Sequence, residues 1–281
     1  MELACQYWKA ANQEKRKVLL LHGMGGTGAL WRPIASALED HSSILAPDQR
    51  GHGKSRILDF PKSEITRPYS PLDFGRDLVE TLEKLDFHPV WAIGHSMGVR
   101  SACALASLKP EWIEGLILVD LGFSGAAGGG LGQTLREFLT KLPLRFQSRT
   151  EAKAFMEAEC PDPAIARYLM AVSVFELDPL TRTKTGALTF PFDKDALIQT
   201  LDQAETSSVR TWIEALAQIQ KPILALRGAE SRVWSQEEFE FEVNHFRPFS
   251  SVKFETIPGA GHGLPFEKRA EFLERILKFM S

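Results

Sequence analysis

The chain has 281 residues, 44% of them hydrophobic, an ordinary globular fraction at a length near the upper limit for one hydrophobic core. A formal net charge of −3 gives no basic excess for nucleic acid, and no 18-residue apolar run exists for a membrane span. Three cysteines, Cys5, Cys103 and Cys160, have no metal-ligand spacing and no even count for a disulfide framework; Met1 to Lys17 has no apolar signal core, so a reducing cytoplasm is the expected compartment.

In chain order, short apolar runs predict strands at Val18 to Leu21, Ile44 to Ala46, Val90 to Ile93, Gly115 to Asp120, Ile223 to Arg227 and Val252 to Ile257. Helical patterns fall between them: Leu30 to Leu38, Leu72 to Leu85, Met97 to Leu108, Val209 to Ile219, Gln236 to Phe246 and Pro265 to Met280. Leu78, Leu82 and Leu85, with Val79, make an apolar helical stripe of core-packing type. Strands alternating with helices predict an α/β fold, a mostly parallel sheet covered on both faces. The rhythm breaks after Asp120. Gly122 to Gly132 holds six glycines, and the stretch beyond is helical and aromatic, with Phe138, Phe146, Phe155, Phe175, Phe190 and Phe192. We expect residues 123–207 to form an inserted helical cap on a core of residues 1–122 and 208–281, with Gly128-Gly129-Gly130 as a hinge or lid edge.

The chemistry concentrates at strand ends. Val90 to Ile93 empties into Gly94-His95-Ser96-Met97-Gly98, a Gly-x-Ser-x-Gly turn between strand and helix. A turn that lifts a serine oxygen clear of a sheet is crowded, so positions 94 and 98 must lack a Cβ. Upstream, Lys17 to Leu21 runs into His22-Gly23-Met24-Gly25-Gly26, where small residues let a backbone N–H face a substrate oxygen. Downstream, Pro258-Gly259-Ala260-Gly261-His262-Gly263 sets a histidine on a turn before the last helix. The chain order of serine, acid and histidine resembles that of the α/β-hydrolase superfamily over nearly the whole chain, and Asp48-Gln49-Arg50-Gly51-His52-Gly53-Lys54-Ser55 adds to the likeness.

That resemblance implies an α/β-hydrolase fold with Ser96 as nucleophile and His262 as general base. The backbone N–H groups of Met24 and Met97 would form the oxyanion hole. The acid departs from the commonest pattern. Related hydrolases place an aspartate after the strand Ile223 to Arg227, but that loop reads Gly228-Ala229-Glu230-Ser231-Arg232-Val233, with Arg232 at the expected aspartate position. Two candidates stand, Glu230 in this loop and Asp120 at the preceding strand end. A branch of small esterase and thioesterase-like enzymes, similar in its Gly-His-Ser-Met-Gly elbow, takes its acid from the Asp120 position. Arg100, Trp31, Phe123 and Trp234 are candidate substrate contacts.

The resemblance implies a serine hydrolase cutting a small carboxylic ester or thioester through an acyl-enzyme, with no metal or cofactor. Carbon–carbon bond hydrolysis or a menaquinone-pathway-like elimination would use the same residues, and non-catalytic ligand binding is a further class. Epoxide hydrolases and dehalogenases need a carboxylate at position 96. A competing reading is dinucleotide binding: Gly23-Met24-Gly25-Gly26-Thr27-Gly28 is a literal Gly-x-Gly-x-x-Gly after a strand, with Asp48 where a ribose-binding acid would stand. Gly53-Lys54-Ser55 resembles the tail of a phosphate loop, but Asp48 replaces the glycine such a loop requires. Oligomeric state is not encoded in any of these features.

Overall fold

The computed structural model describes residues 1–56, 69–124, 131–206 and 208–281. The Gly128-Gly129-Gly130 stretch, expected as a hinge, lies outside them. The first half of the core runs β1 (Cys5–Trp8), β2 (Arg16–Leu21), α1 (Arg32–Leu38), β3 (Ser42–Pro47), α2 (Pro71–Lys84), β4 (Val90–His95), α3 (Met97–Leu108) and β5 (Ile113–Val119). Next come α4 (Leu131–Lys141), β6 (Arg145–Phe146), α5 (Arg149–Glu159), α6 (Pro163–Val172), β7 (Val174–Leu177), β8 (Lys184–Thr189) and α7 (Lys194–Thr206). The chain closes with α8 (Arg210–Gln218), β9 (Ile223–Gly228), α9 (Gln236–His245), β10 (Val252–Ile257), α10 (Leu264–Glu267) and α11 (Arg269–Met280).

Seven strands form one sheet in the order β1-β3-β2-β4-β5-β9-β10, parallel throughout except for β1, which runs antiparallel to β3 at the edge. The strand period of two explains why both faces are apolar. Leu19, Leu21, Ala92, Leu116, Leu118, Ile223 and Ala225 face one buried cluster, under α2, α3 and α8. Their neighbours Val18, Leu20, Ile93, Ile117, Leu224 and Leu226 face the other, shared with α1 and α11. Because the strands are parallel, the loops after β2, β4, β5, β9 and β10 all leave the sheet at the same edge.

Strand β1 has no counterpart among the predicted strands; four half-exposed residues are too few for a periodic signal. Helix α2 starts one residue earlier than its apolar pattern, at Pro71, because Ser70 and Asp73 form a reciprocal capping box. The single helix expected at Pro265 to Met280 is two, broken at Lys268, whose φ of −124° and ψ of 49° are not helical.

The 131–206 segment leaves and rejoins the core at one place: the Val209 N–H and the Ser208 hydroxyl both donate to the Phe123 carbonyl, each at 3.0 Å. Beside its helices it holds a three-stranded antiparallel sheet in the order β6-β8-β7, which helical patterning does not anticipate. Its aromatic residues are mainly packing. Phe138, Phe146, Phe190 and Phe192 are buried with Leu139, Leu142, Met156, Leu169 and Leu201 in a separate cluster, against which Met24 and Leu30 of the main body also pack. Among the described residues, no helix is long and apolar enough to cross a membrane.

Candidate active site

Ser96 stands between β4 and α3, at the N-cap of the helix, with φ 53° and ψ −122°, a conformation that L-residues rarely adopt. The flanking glycines are sterically obligatory. A Cβ on Gly94 would stand 2.3 Å from the Gly98 carbonyl oxygen, and one on Gly98 would stand 2.3 Å from the Leu21 carbonyl oxygen. The strand end, the turn and the helix therefore pack backbone on backbone, and the serine side chain is driven outward.

His262, on the loop after β10, meets the serine. Its Nε2 lies 3.0 Å from Ser96 Oγ and its Nδ1 lies 2.8 Å from Asp120 Oδ2. An ionised carboxylate only accepts, so Nδ1 carries the imidazole proton and Nε2 presents a lone pair to the serine hydroxyl. Asp120 follows β5 with φ 56° and is fully buried. Its charge is met by three donors: His262 Nδ1–H, the Gly228 N–H to Oδ1 at 2.9 Å, and the Ser231 hydroxyl to Oδ2. Glu230, the other candidate acid, is exposed and meets this site only through its backbone N–H, which donates to the Ala260 carbonyl.

Ser231 carries no sequence signal of its own; only the missing aspartate in its loop hints that something else occupies that place. The loop owes its shape to Arg227, buried at the end of β9, whose guanidinium donates to the carbonyls of Trp234, Ala229 and Ser231. His95 is a strut, with Nε2–H donating to the His262 carbonyl at 2.7 Å, and burial pushes its pKa down to about 4. On the far side of His262, Glu267 accepts the Gly261 N–H at 2.7 Å.

The loop after β2 approaches so closely that a Cβ on Gly23 would stand 3.1 Å from the Ser96 Cβ. Its N–H groups are accounted for one by one. The Gly25 N–H donates to His52 Nε2 at 2.9 Å and the Gly26 N–H to the Gly23 carbonyl at 3.1 Å, which leaves the Met24 N–H of this trio for a ligand. Met97 is the first residue of α3, where an N–H has no partner within the helix.

These commitments also correct the dinucleotide reading. The Gly28 N–H is bound to Asp48 Oδ1 at 2.8 Å, the Lys54 N–H holds Asp48 Oδ2 at 2.9 Å, and Gly28 lies against the Ala46 carbonyl. With the Gly25, Gly26 and Gly28 N–H groups bound within the protein, this loop does not offer the converging amides that cradle a pyrophosphate.

Three of the four candidate substrate contacts are corrected as well. Trp31 is buried in the core beside Phe266, and Phe123 and Trp234 are buried against each other and against Phe254. With no accessible surface, all three are packing residues. Arg100 is different: buried, with Nη2 donating to the Ser124 carbonyl at 2.9 Å, it borders a small internal space together with Tyr69, Phe74, Met97, Ser101 and Thr200. Burial lowers its pKa to about 10, which leaves it cationic.

The alpha/beta hydrolase family model matches residues 18–275, nearly the whole chain. The protein belongs to the alpha/beta hydrolase family. As a hydrolase of this family it is 25% identical over 276 residues to the mouse sn-1-specific diacylglycerol lipase ABHD11, an alignment covering 94% of this chain and 80% of that protein. Among solved structures, a marine microorganism esterase superposes with a TM-score of 0.76 at 21% identity, covering 99% of both chains. The thioesterase domain of a curacin biosynthetic pathway superposes with a TM-score of 0.67 at 24% identity, over 98% of this chain and 94% of that one. At those identities the two structures speak for the fold.

Proposed function

We propose that this hydrolase is a serine esterase or thioesterase whose triad is Ser96, His262 and Asp120. The observation that carries the reading is the unbroken chain of contacts from Ser96 Oγ through His262 to Asp120 Oδ2, at 3.0 and 2.8 Å. Ser96 Oγ attacks the acyl carbon while His262 Nε2 takes its proton, and the carbonyl π pair becomes an oxyanion held by the Met24 and Met97 N–H groups. Collapse breaks the bond to the alcohol or thiol, which leaves with the proton from His262. Water then repeats the sequence on the acyl-enzyme, releasing the acid and restoring Ser96. Asp120 remains ionised throughout; it keeps the proton on Nδ1 and stabilises the imidazolium.

The test is covalent labelling with a fluorophosphonate, followed by a panel of p-nitrophenyl esters and acyl thioesters of increasing chain length. The label is expected on Ser96, and Ser96→Ala is expected to lose both labelling and turnover. Full turnover in that variant would overturn the reading.

A further inference from the structure

The oxyanion loop is tied to the cap through one imidazole. His52 is fully buried, five residues past the end of β3. Its Nδ1 lies 2.9 Å from the Arg50 carbonyl, which can only accept, so Nδ1 carries the proton and Nε2 is an obligate acceptor. That acceptor takes the Gly25 N–H at 2.9 Å. Desolvation lowers the His52 pKa to about 4, so the ring stays neutral, and stays an acceptor, at ordinary pH.

The bond falls at a mechanically sensitive place. Residues 23–26 form a turn closed by the Gly26 N–H on the Gly23 carbonyl, and Gly25, third in the turn, has φ +78°. A positive φ at that position marks a type II turn, which differs from the more common type I by a flip of the central peptide, here the one joining Met24 to Gly25. The N–H of that peptide is the one His52 holds, so the imidazole selects the flip.

The segment that carries His52 is in turn fastened to the cap. The Gly53 N–H donates to the Pro191 carbonyl at 2.6 Å, the Asp193 N–H donates to the Gly51 carbonyl at 2.7 Å, and His52 pairs with Phe192 in an isolated antiparallel bridge. Phe192 also covers the turn, since a Cβ on Gly25 would stand 3.5 Å from its ring.

We propose that His52 is a positioning residue for acyl transfer: clasped by residues 191–193 of the cap, it holds the Gly25 N–H and so anchors the 23–26 turn, with the Met24 N–H that the turn carries, against Ser96. The inference rests on the serine-hydrolase reading of this site. His52 touches no substrate. Its effect reaches the reaction through the Met24 N–H, and so it is felt in the transition state more than in substrate binding.

The experiment compares His52→Phe, which keeps a ring and removes the acceptor, with His52→Gln, which restores a neutral acceptor; His52→Ala replaces the phenylalanine variant should that ring block folding. Turnover is normalised to fluorophosphonate-titrated sites, and Gly25 amide exchange is followed by NMR without substrate. In His52→Phe we expect kcat to fall about 10- to 100-fold, part of the value of a whole oxyanion donor, with KM changed less than about threefold. Affinity for a trifluoromethyl ketone should fall by the same factor as kcat/KM, and Gly25 exchange should accelerate. His52→Gln should recover most of both. Per-site kcat within about twofold of wild type in the acceptor-less variant, or a loss that the glutamine does not relieve at all, would overturn the inference while leaving the hydrolase reading intact. A wild-type chain that neither labels nor hydrolyses any ester would overturn both.

Discussion

The edge of the sheet that carries Ser96 and the 131–206 segment are held together by different physics. At the edge, position is set by backbone: Gly94 and Gly98 lie against carbonyl oxygens, Ser96 and Asp120 have positive φ, and buried donors surround one carboxylate. In the 131–206 segment, position is set by apolar contact, with Phe146, Phe155, Phe190 and Phe192 packed ring to ring beside Met156 and Leu169. The first arrangement tolerates almost no change in residue type, whereas the second accepts many residues of suitable volume. Substitutions of the exposed reacting side chains at the edge should therefore cost chemistry and little stability, and those in the 131–206 aromatic cluster the reverse.

The largest effect is expected at His262. If the proposed triad operates, His262→Ala should lower kcat by about 10⁴-fold or more with the fold intact, measured as turnover per folded molecule, because substrate binding and oxyanion donors survive the loss of a triad member. Asp120→Asn should cost about 10⁴-fold, since an amide can donate to Nδ1 and stabilise the wrong tautomer of His262. In the 131–206 segment, Phe146→Ala removes a buried ring that touches Phe155 and Phe190, and should cost about 3 to 5 kcal/mol in urea unfolding. Its per-site turnover should stay within about twofold of wild type. If Phe146→Ala instead lowered kcat as much as stability, the two regions would not be separable.

Acid provides a second contrast. His52 and His95 have folded pKa values of about 4, and that of His22 is also depressed by burial, against 6.5 for the free side chain. All three belong to the main body. The unfolded chain takes up protons at these histidines as pH falls through 6.5, while folded His52 and His95 do not until about 4. The contribution of His52 and His95 is whole above pH 6.5 and is lost toward pH 4, by about 1.4 kcal/mol per histidine per pH unit. Unfolding midpoints measured between pH 7 and 4 should fall accordingly.

The contrast also explains what could be read from residues alone. Gly94, Gly98 and Gly23 were legible because close packing at each excludes a side chain, and exclusion leaves a mark in residue type. The parallel sheet was legible for a related reason, since strands buried on both faces are continuously apolar. Trp31, Phe123 and Trp234 misled because an aromatic residue close in sequence to a functional loop looks the same whether it faces substrate or core. Ser231 and His52 act through single hydrogen bonds whose partners lie 111 and 27 residues away. No spacing rule encodes such a contact. The small sheet β6-β8-β7 escaped for want of length, as β6 has two residues and the β8–β7 pairing is irregular between Phe175 and Leu177.

The smallest expected effect tests the assignment of the acid. Glu230 and Asp120 cannot both be the main partner of one imidazole nitrogen, and their surroundings differ in kind. Asp120 is fully buried with three donors around it, so its charge is compensated and its geometry fixed. Glu230 is exposed and anchored by its backbone alone. A carboxylate in water gains little from proximity to an imidazole, because solvent screens the charge and side-chain entropy opposes any single geometry. Glu230→Gln should therefore keep kcat/KM within about twofold of wild type, and raising the salt concentration should not change the ratio of the two enzymes. A loss approaching that of Asp120→Asn would mean that the acid acts from the loop after β9, and that Asp120, with its neighbour Ser231, serves only to close the end of the sheet.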